Sequence, residues 1–112
     1  MVKNMVLVMT TSYFPTDKSE VVGKKYIEIR KKYPPDRSIS KPILRVGVRV
    51  TPDGMKAIGI SEVKEDKFSE FMRGLYEQIL LWSEIEGYRM DVEVFMSGTE
   101  ALPLVGLKMP EE

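Results

Sequence analysis

Apolar residues fall into seven stretches separated by clear breaks. Val6–Tyr13 (VLVMTTSY) is β-branched and apolar and stops at Phe14-Pro15, where proline cannot extend a ladder, so it predicts a first strand. Thr16, Asp17 and Ser19 then supply helix-start chemistry. From Glu20 to Tyr33, Val22, Tyr26, Ile29 and Tyr33 recur at i, i+4, i+7 and i+11, one stripe of a helix that Pro34-Pro35 ends. Gly23 inside that stretch costs a helix about 1 kcal/mol relative to alanine, which predicts a strand or second helix approaching closely there. Ile43–Val50 alternates strictly: Leu44, Val46, Val48 and Val50 on a face turned to the helices, Arg45, Gly47 and Arg49 on the other. Thr51–Gly54 (TPDG) is a tight turn into a third strand, Met55–Val63, with Ile58 and Ile60 on one side and Ala57, Gly59 and Ser61 on the other. Glu65-Asp66 opens a helix over Lys67–Glu86, striped by Phe68, Met72, Leu75, Ile79 and Trp82 and widened by Phe71, Tyr76 and Ile85. Gly87 sits where a helix C′ residue belongs. Asp91–Ser97 is a fourth strand, and an apolar tail runs from Ala101 to Met109.

The order β-α-β-β-α-β predicts one α+β domain over residues 1–112, ferredoxin-like, with a four-stranded antiparallel sheet and both helices on one face. The second face is the harder question. Strand one offers Val6 and Val8 on one side and Leu7 and Met9 on the other, while strand four sets Val92, Val94 and Met96 against Glu93, Phe95 and Ser97. A solvated face would alternate cleanly. An apolar second face predicts a second cover, and a second copy supplies it: a homodimer closed through the open face, with residues 98–112 as an arm that can cross to the partner as an extra strand.

Charge sharpens this picture. Net charge is zero, but residues 1–56 hold 12 Lys and Arg against 5 Asp and Glu, and residues 57–112 hold the reverse, 5 against 12. A basic first helix beside an acidic second helix accounts for the split. A zero balance argues against nucleic acid, as does the lack of aromatics along the third strand. No apolar run approaches the roughly 20 residues that span a bilayer, and the N-terminal run reads as a strand rather than a signal sequence, so no membrane and a cytoplasmic location are expected. With no cysteine and no histidine the chain offers no disulfide, no thiol nucleophile and no usual metal or haem ligand; no metal and no cofactor are expected. A single Asn and a single Gln beside abundant Glu and Lys match the compositional direction of heat-adapted proteins.

The element order, the Phe14-Pro15 turn into the first helix, the second helix ending at EGY and the ALPL tail together resemble the dimeric α+β barrel superfamily. YFPTDKSEVVGKKYIE and SGTEALPLVGLK are similar to segments of a small prokaryotic family of that fold. The resemblance implies a homodimer that, in some members, holds a small molecule between its sheets and, in a few, catalyses oxygenation or isomerisation. Those enzymes commonly use a histidine, an asparagine–tryptophan pair or haem; here Asn4 precedes the first strand and Trp82 reads as helix core.

Four residues make the candidate site. Arg45 and Arg49 on the open face, with Gly47 and then Gly59 and Ser61 leaving room beside them, can grip a carboxylate or phosphate. Glu93 shares that face, and Tyr13 stands at the mouth. The competing reading makes the arginines edge charges that deter stray pairing. The functional expectation is a ligand-binding or interaction protein for a small, anionic molecule. The alternative is a cofactor-independent enzyme using Tyr13, Arg45, Arg49 or Glu93 for proton transfer and charge stabilisation.

Overall fold

A computed structural model describes residues 4–110 of the chain. Its elements are β1 (Met5–Phe14), α1 (Ser19–Lys32), β2 (Ser40–Thr51), β3 (Gly54–Lys64), α2 (Phe68–Trp82), β4 (Arg89–Met96) and a one-turn helix α3 (Gly98–Ala101). The strands form one antiparallel sheet in the order β2-β3-β1-β4. The fold class is α+β, with α1 and α2 in the expected sequence order. No helix among the described residues is long and apolar enough to cross a membrane.

Register assigns the faces. Val8 pairs with Ser61 and Val94, Thr10 with Gly59 and Val92, and Ser12 with Ala57 and Met90. These residues lie on the helix side, because Val8, Thr10, Ser12 and Phe14 border the same space as Val22, Tyr26 and Ile29 of α1. Leu7, Met9, Ile58, Ile60 and Phe95 take the other side. The packed core gathers at one end, where Phe14, Val22, Ile29, Trp82 and Ile85 are buried together. Tyr88 lies between Phe14 and Trp82, its ring 5.9 and 4.8 Å from theirs and nearly parallel to both. Its hydroxyl donates to Ser12 Oγ at 2.7 Å. Gly87 leads the chain into this stack at φ 82°, and a Cβ there would sit 2.8 Å from Pro15 Cγ. At the same end Lys25 Nζ meets Glu84 Oε1 at 2.8 Å, joining α1 to the turn after α2.

Further along the sheet Val8 and Val63 are buried as well, but between the two the helices and the sheet stay apart. The radius of gyration is 15.9 Å, against about 13 Å for a compact domain of this size. Three expectations change accordingly. The valines of β2 are not covered by helices: Val50 is 66% exposed, and Val46 and Val48 are exposed as well. In α2 the inward line is Phe71, Leu75, Gln78 and Trp82, while Tyr76, expected to widen the stripe, is exposed, as is Leu80. The tail forms no strand. Ser97 caps α3 by accepting from the Glu100 amide, and the Glu100 carboxylate accepts from the Met5 amide at 3.0 Å, so the turn folds back against the start of β1. Beyond it a 3-10 turn over Leu102–Val105 ends at Gly106, and Leu104 is 74% exposed. The last two residues of the expected arm lie outside the described residues.

Candidate functional site

Each side of the sheet presents a distinct chemistry. On the helix side a cavity of about 690 Å³ runs between α1, α2 and β1–β3. That volume falls within the range of small-molecule pockets. Its walls are apolar and aromatic, from Tyr26, Tyr33, Phe71, Leu75 and the Trp82–Tyr88 end. Its sheet floor carries the hydroxyls of Thr10, Ser12 and Ser61 in neighbouring register positions, and Gln78 faces the same space. Ser12 is buried and takes its hydrogen bond from Tyr88, whose burial raises the phenol above its ordinary pKa against a smaller lowering effect of Ser12. The tyrosine therefore serves as a donor. Asp36, also at the border, is held below the usual carboxylate range by the Ser38 hydroxyl and amide, so it is not poised as a base.

Gly23 of α1 and Gly74 of α2 both line this cavity, and a Cβ built on either would meet nothing within 4 Å. The close approach expected at Gly23 is absent. Gly74 is half-buried and Gly23 exposed, so the place a side chain would take is open at both, onto the cavity or its mouth. Gly59 in the floor is different: a Cβ there would lie 3.1 Å from the Arg45 carbonyl oxygen and 3.2 Å from Thr10 Oγ1, so its absence lets β2 bulge inward.

That bulge redistributes the expected site residues. The β2–β3 register shifts twice, between Pro42 and Leu44 and between Leu44 and Gly47. Arg49 pairs with Lys56 and Gly47 with Ile58, keeping both on the helix-free face as expected, while Leu44 pairs with Ile60 and joins that face too. Arg45 falls within the irregular stretch and borders the helix-side cavity. Gly59 and Ser61 also lie on the helix side, so they do not make room between the two arginines.

Tyr13 pairs with Lys56 on one side and Arg89 on the other, which places Arg49, Lys56, Tyr13 and Arg89 in one row across all four strands. Glu93, opposite Met9, stands two rows away. Sequence reading missed Lys56 and Arg89. Their signal was position: each sits at a strand end with the parity of Tyr13. The structure thus sets Tyr13 and Arg49 in one row, keeps Glu93 on their face at a distance, and leaves Arg45 in the irregular stretch of β2 with its backbone carbonyl against Gly59.

No family model matches the chain, and no curated protein matches it. Among solved structures the chain is similar to the de novo designed protein Foldit4, with a TM-score of 0.51 and 12% identity over 85% of this chain and 99% of that one. At that identity the likeness concerns the fold alone.

Proposed function

We propose that the protein binds a flat, amphipathic small molecule in the hollow between its helices and its sheet. The observation that carries this reading is Gly74, half-buried beside the cavity, together with Gly23 at its exposed margin. Each costs its helix about 1 kcal/mol relative to alanine, yet no atom of the chain occupies the space it frees. An occupant from outside gives both glycines a purpose. Its apolar body would lie against Tyr26, Phe71 and Leu75, and one polar edge would meet the hydroxyls of Thr10, Ser12 and Ser61. The chain's single tryptophan, Trp82, stands at the cavity's end and reports occupancy. The test uses 1-anilinonaphthalene-8-sulfonate as probe. Titration should quench Trp82 emission, Gly74→Phe should abolish the quenching while the melting temperature is retained, and Lys56→Gln should leave it intact. Quenching that Gly74→Phe does not change defeats the proposal.

The same reading takes the frame as ferredoxin-like and the working unit as a homodimer of the dimeric α+β barrel kind. Support comes from the helix-free face, where Leu44, Ile58, Ile60, Met9, Leu7 and Phe95 occupy adjoining register positions and form one apolar field with charge at its margins. A face of that kind is what a second copy would cover. Light scattering decides it: twice the chain mass is expected, Ile60→Lys should halve it, and a monomeric wild type removes the dimer.

A further inference from the structure

We infer that the row Arg49–Lys56–Tyr13–Arg89 on the helix-free face is a binding site for a small polyanion bearing phosphate or carboxylate groups. Neighbouring strands lie about 4.8 Å apart, so the row extends about 14 Å across the sheet. Like charges directly opposite on adjacent strands are destabilising, and Arg49 and Lys56 are such a pair. Among the described residues, no carboxylate lies within 4 Å of Arg49, Lys56 or Arg89 in an ion pair. The acids of this face stand off: Asp91 is one row along, Glu93 two, and Glu62 three.

Tyr13 eases the repulsion only in part. Lys56 Nζ lies 5.9 Å and Arg89 Cζ 5.5 Å from the centre of its ring, so the ring's negative faces separate the two cations. Positive charge remains in excess along the row. An anion placed there gains the planar two-point grip of the guanidinium groups, the point charge of the ammonium and the donor of the phenol. The length of the row favours charge spread over an extended body above a single halide. This inference concerns the opposite side of the sheet from the cavity and does not depend on the cavity's occupant.

The experiment uses the full chain in low-salt, anion-poor buffer, with calorimetry and thermal melts in sodium pyrophosphate, in sodium citrate and in sodium chloride at matched ionic strength. Pyrophosphate or citrate should bind and raise the melting temperature by several degrees over chloride, and which of the two does so identifies the preferred group. Arg49→Gln and Lys56→Gln should each weaken binding by about tenfold or more, as the loss of a charge-assisted hydrogen bond requires. Lys56→Gln should also raise the melting temperature in the anion-poor buffer, by relieving the cross-strand repulsion. Equal effects of all three salts overturn the inference, as does binding unmoved by either variant. It falls as well if Lys56→Gln lowers the melting temperature in anion-poor buffer and dissociates a dimer, because the row would then be neutralised by a second copy's carboxylates.

Discussion

The two ends of the layer between helices and sheet are built from the same strands and helices yet differ in kind. At one end Phe14, Trp82 and Tyr88 stack and Val22, Ile29 and Ile85 close around them. At the other, Thr10, Gly59 and Ser61 face Phe71, Gly74 and Leu75 across open space. The difference lies in side-chain volume. Large aromatics at the first end fill the gap between layers, whereas hydroxyl and glycine positions at the second cannot reach the helices opposite. The aromatic end holds much of the fold, Val8 and Val63 are buried beyond the gap, and the hollow between them is available for binding.

The sharpest way to break this contrast is to remove the filled end's largest ring. Trp82 is only 8% exposed, and Trp82→Ala should cost about 3–5 kcal/mol in chemical denaturation. Leu75→Ala, at the open end, should cost under about 1 kcal/mol, because truncating a side chain beside existing space adds little new void. Comparable losses at the two sites would erase the distinction. Next comes Tyr88→Phe, which leaves the buried Ser12 oxygen without its donor and should cost about 1–2 kcal/mol.

Tyr88 also sets a pH signature. Its folded-state pKa is raised, chiefly by burial, so the folded form keeps a proton that the unfolded form releases near pH 10. Stability is therefore full below about pH 10 and declines as pH rises from there through the folded-state value. Tyr88→Phe should shrink that alkaline decline in melts run from pH 8 to 11. The smallest effect has the opposite sign. Gly23→Ala and Gly74→Ala should each stabilise the unliganded protein by up to about 1 kcal/mol while weakening whatever the cavity holds. Destabilisation by either would mean that the glycines answer a packing need within the chain.

Local signals made much of this legible. The 3.6-residue stripe of Val22, Tyr26, Ile29 and Tyr33, the break at Pro34-Pro35 and the turn at Thr51–Gly54 each depend on a few neighbouring residues, and the element order follows from them, although α2 stops at Trp82, short of the Gly87 expected to end it. The hollow was not legible, since the distance between a helix and a sheet is set by residues far apart in sequence. The slips in β2 were equally hidden. Strict alternation in LRVGVRV predicted one register, but Gly59 on the neighbouring strand lets the Arg45 carbonyl press inward and moves Leu44 to the other side. The tail carried an unread signal: Ser97 and Glu100 have capping-box spacing, the mark of a helix start where a crossing strand was expected.

The double slip in β2 bears on how this molecule avoids polymerising. A strand at the rim of a sheet invites newcomers only if its free amides and carbonyls keep an even beat. Here the beat is lost twice within six residues, so an incoming segment would find matching partners over no more than a few positions. The opposite rim, Arg89–Met96, pairs with β1 without a slip. Growth by adding strand to strand is thereby stunted at the β2 border, which offers crowded chains no long, even template from which to seed a fibre.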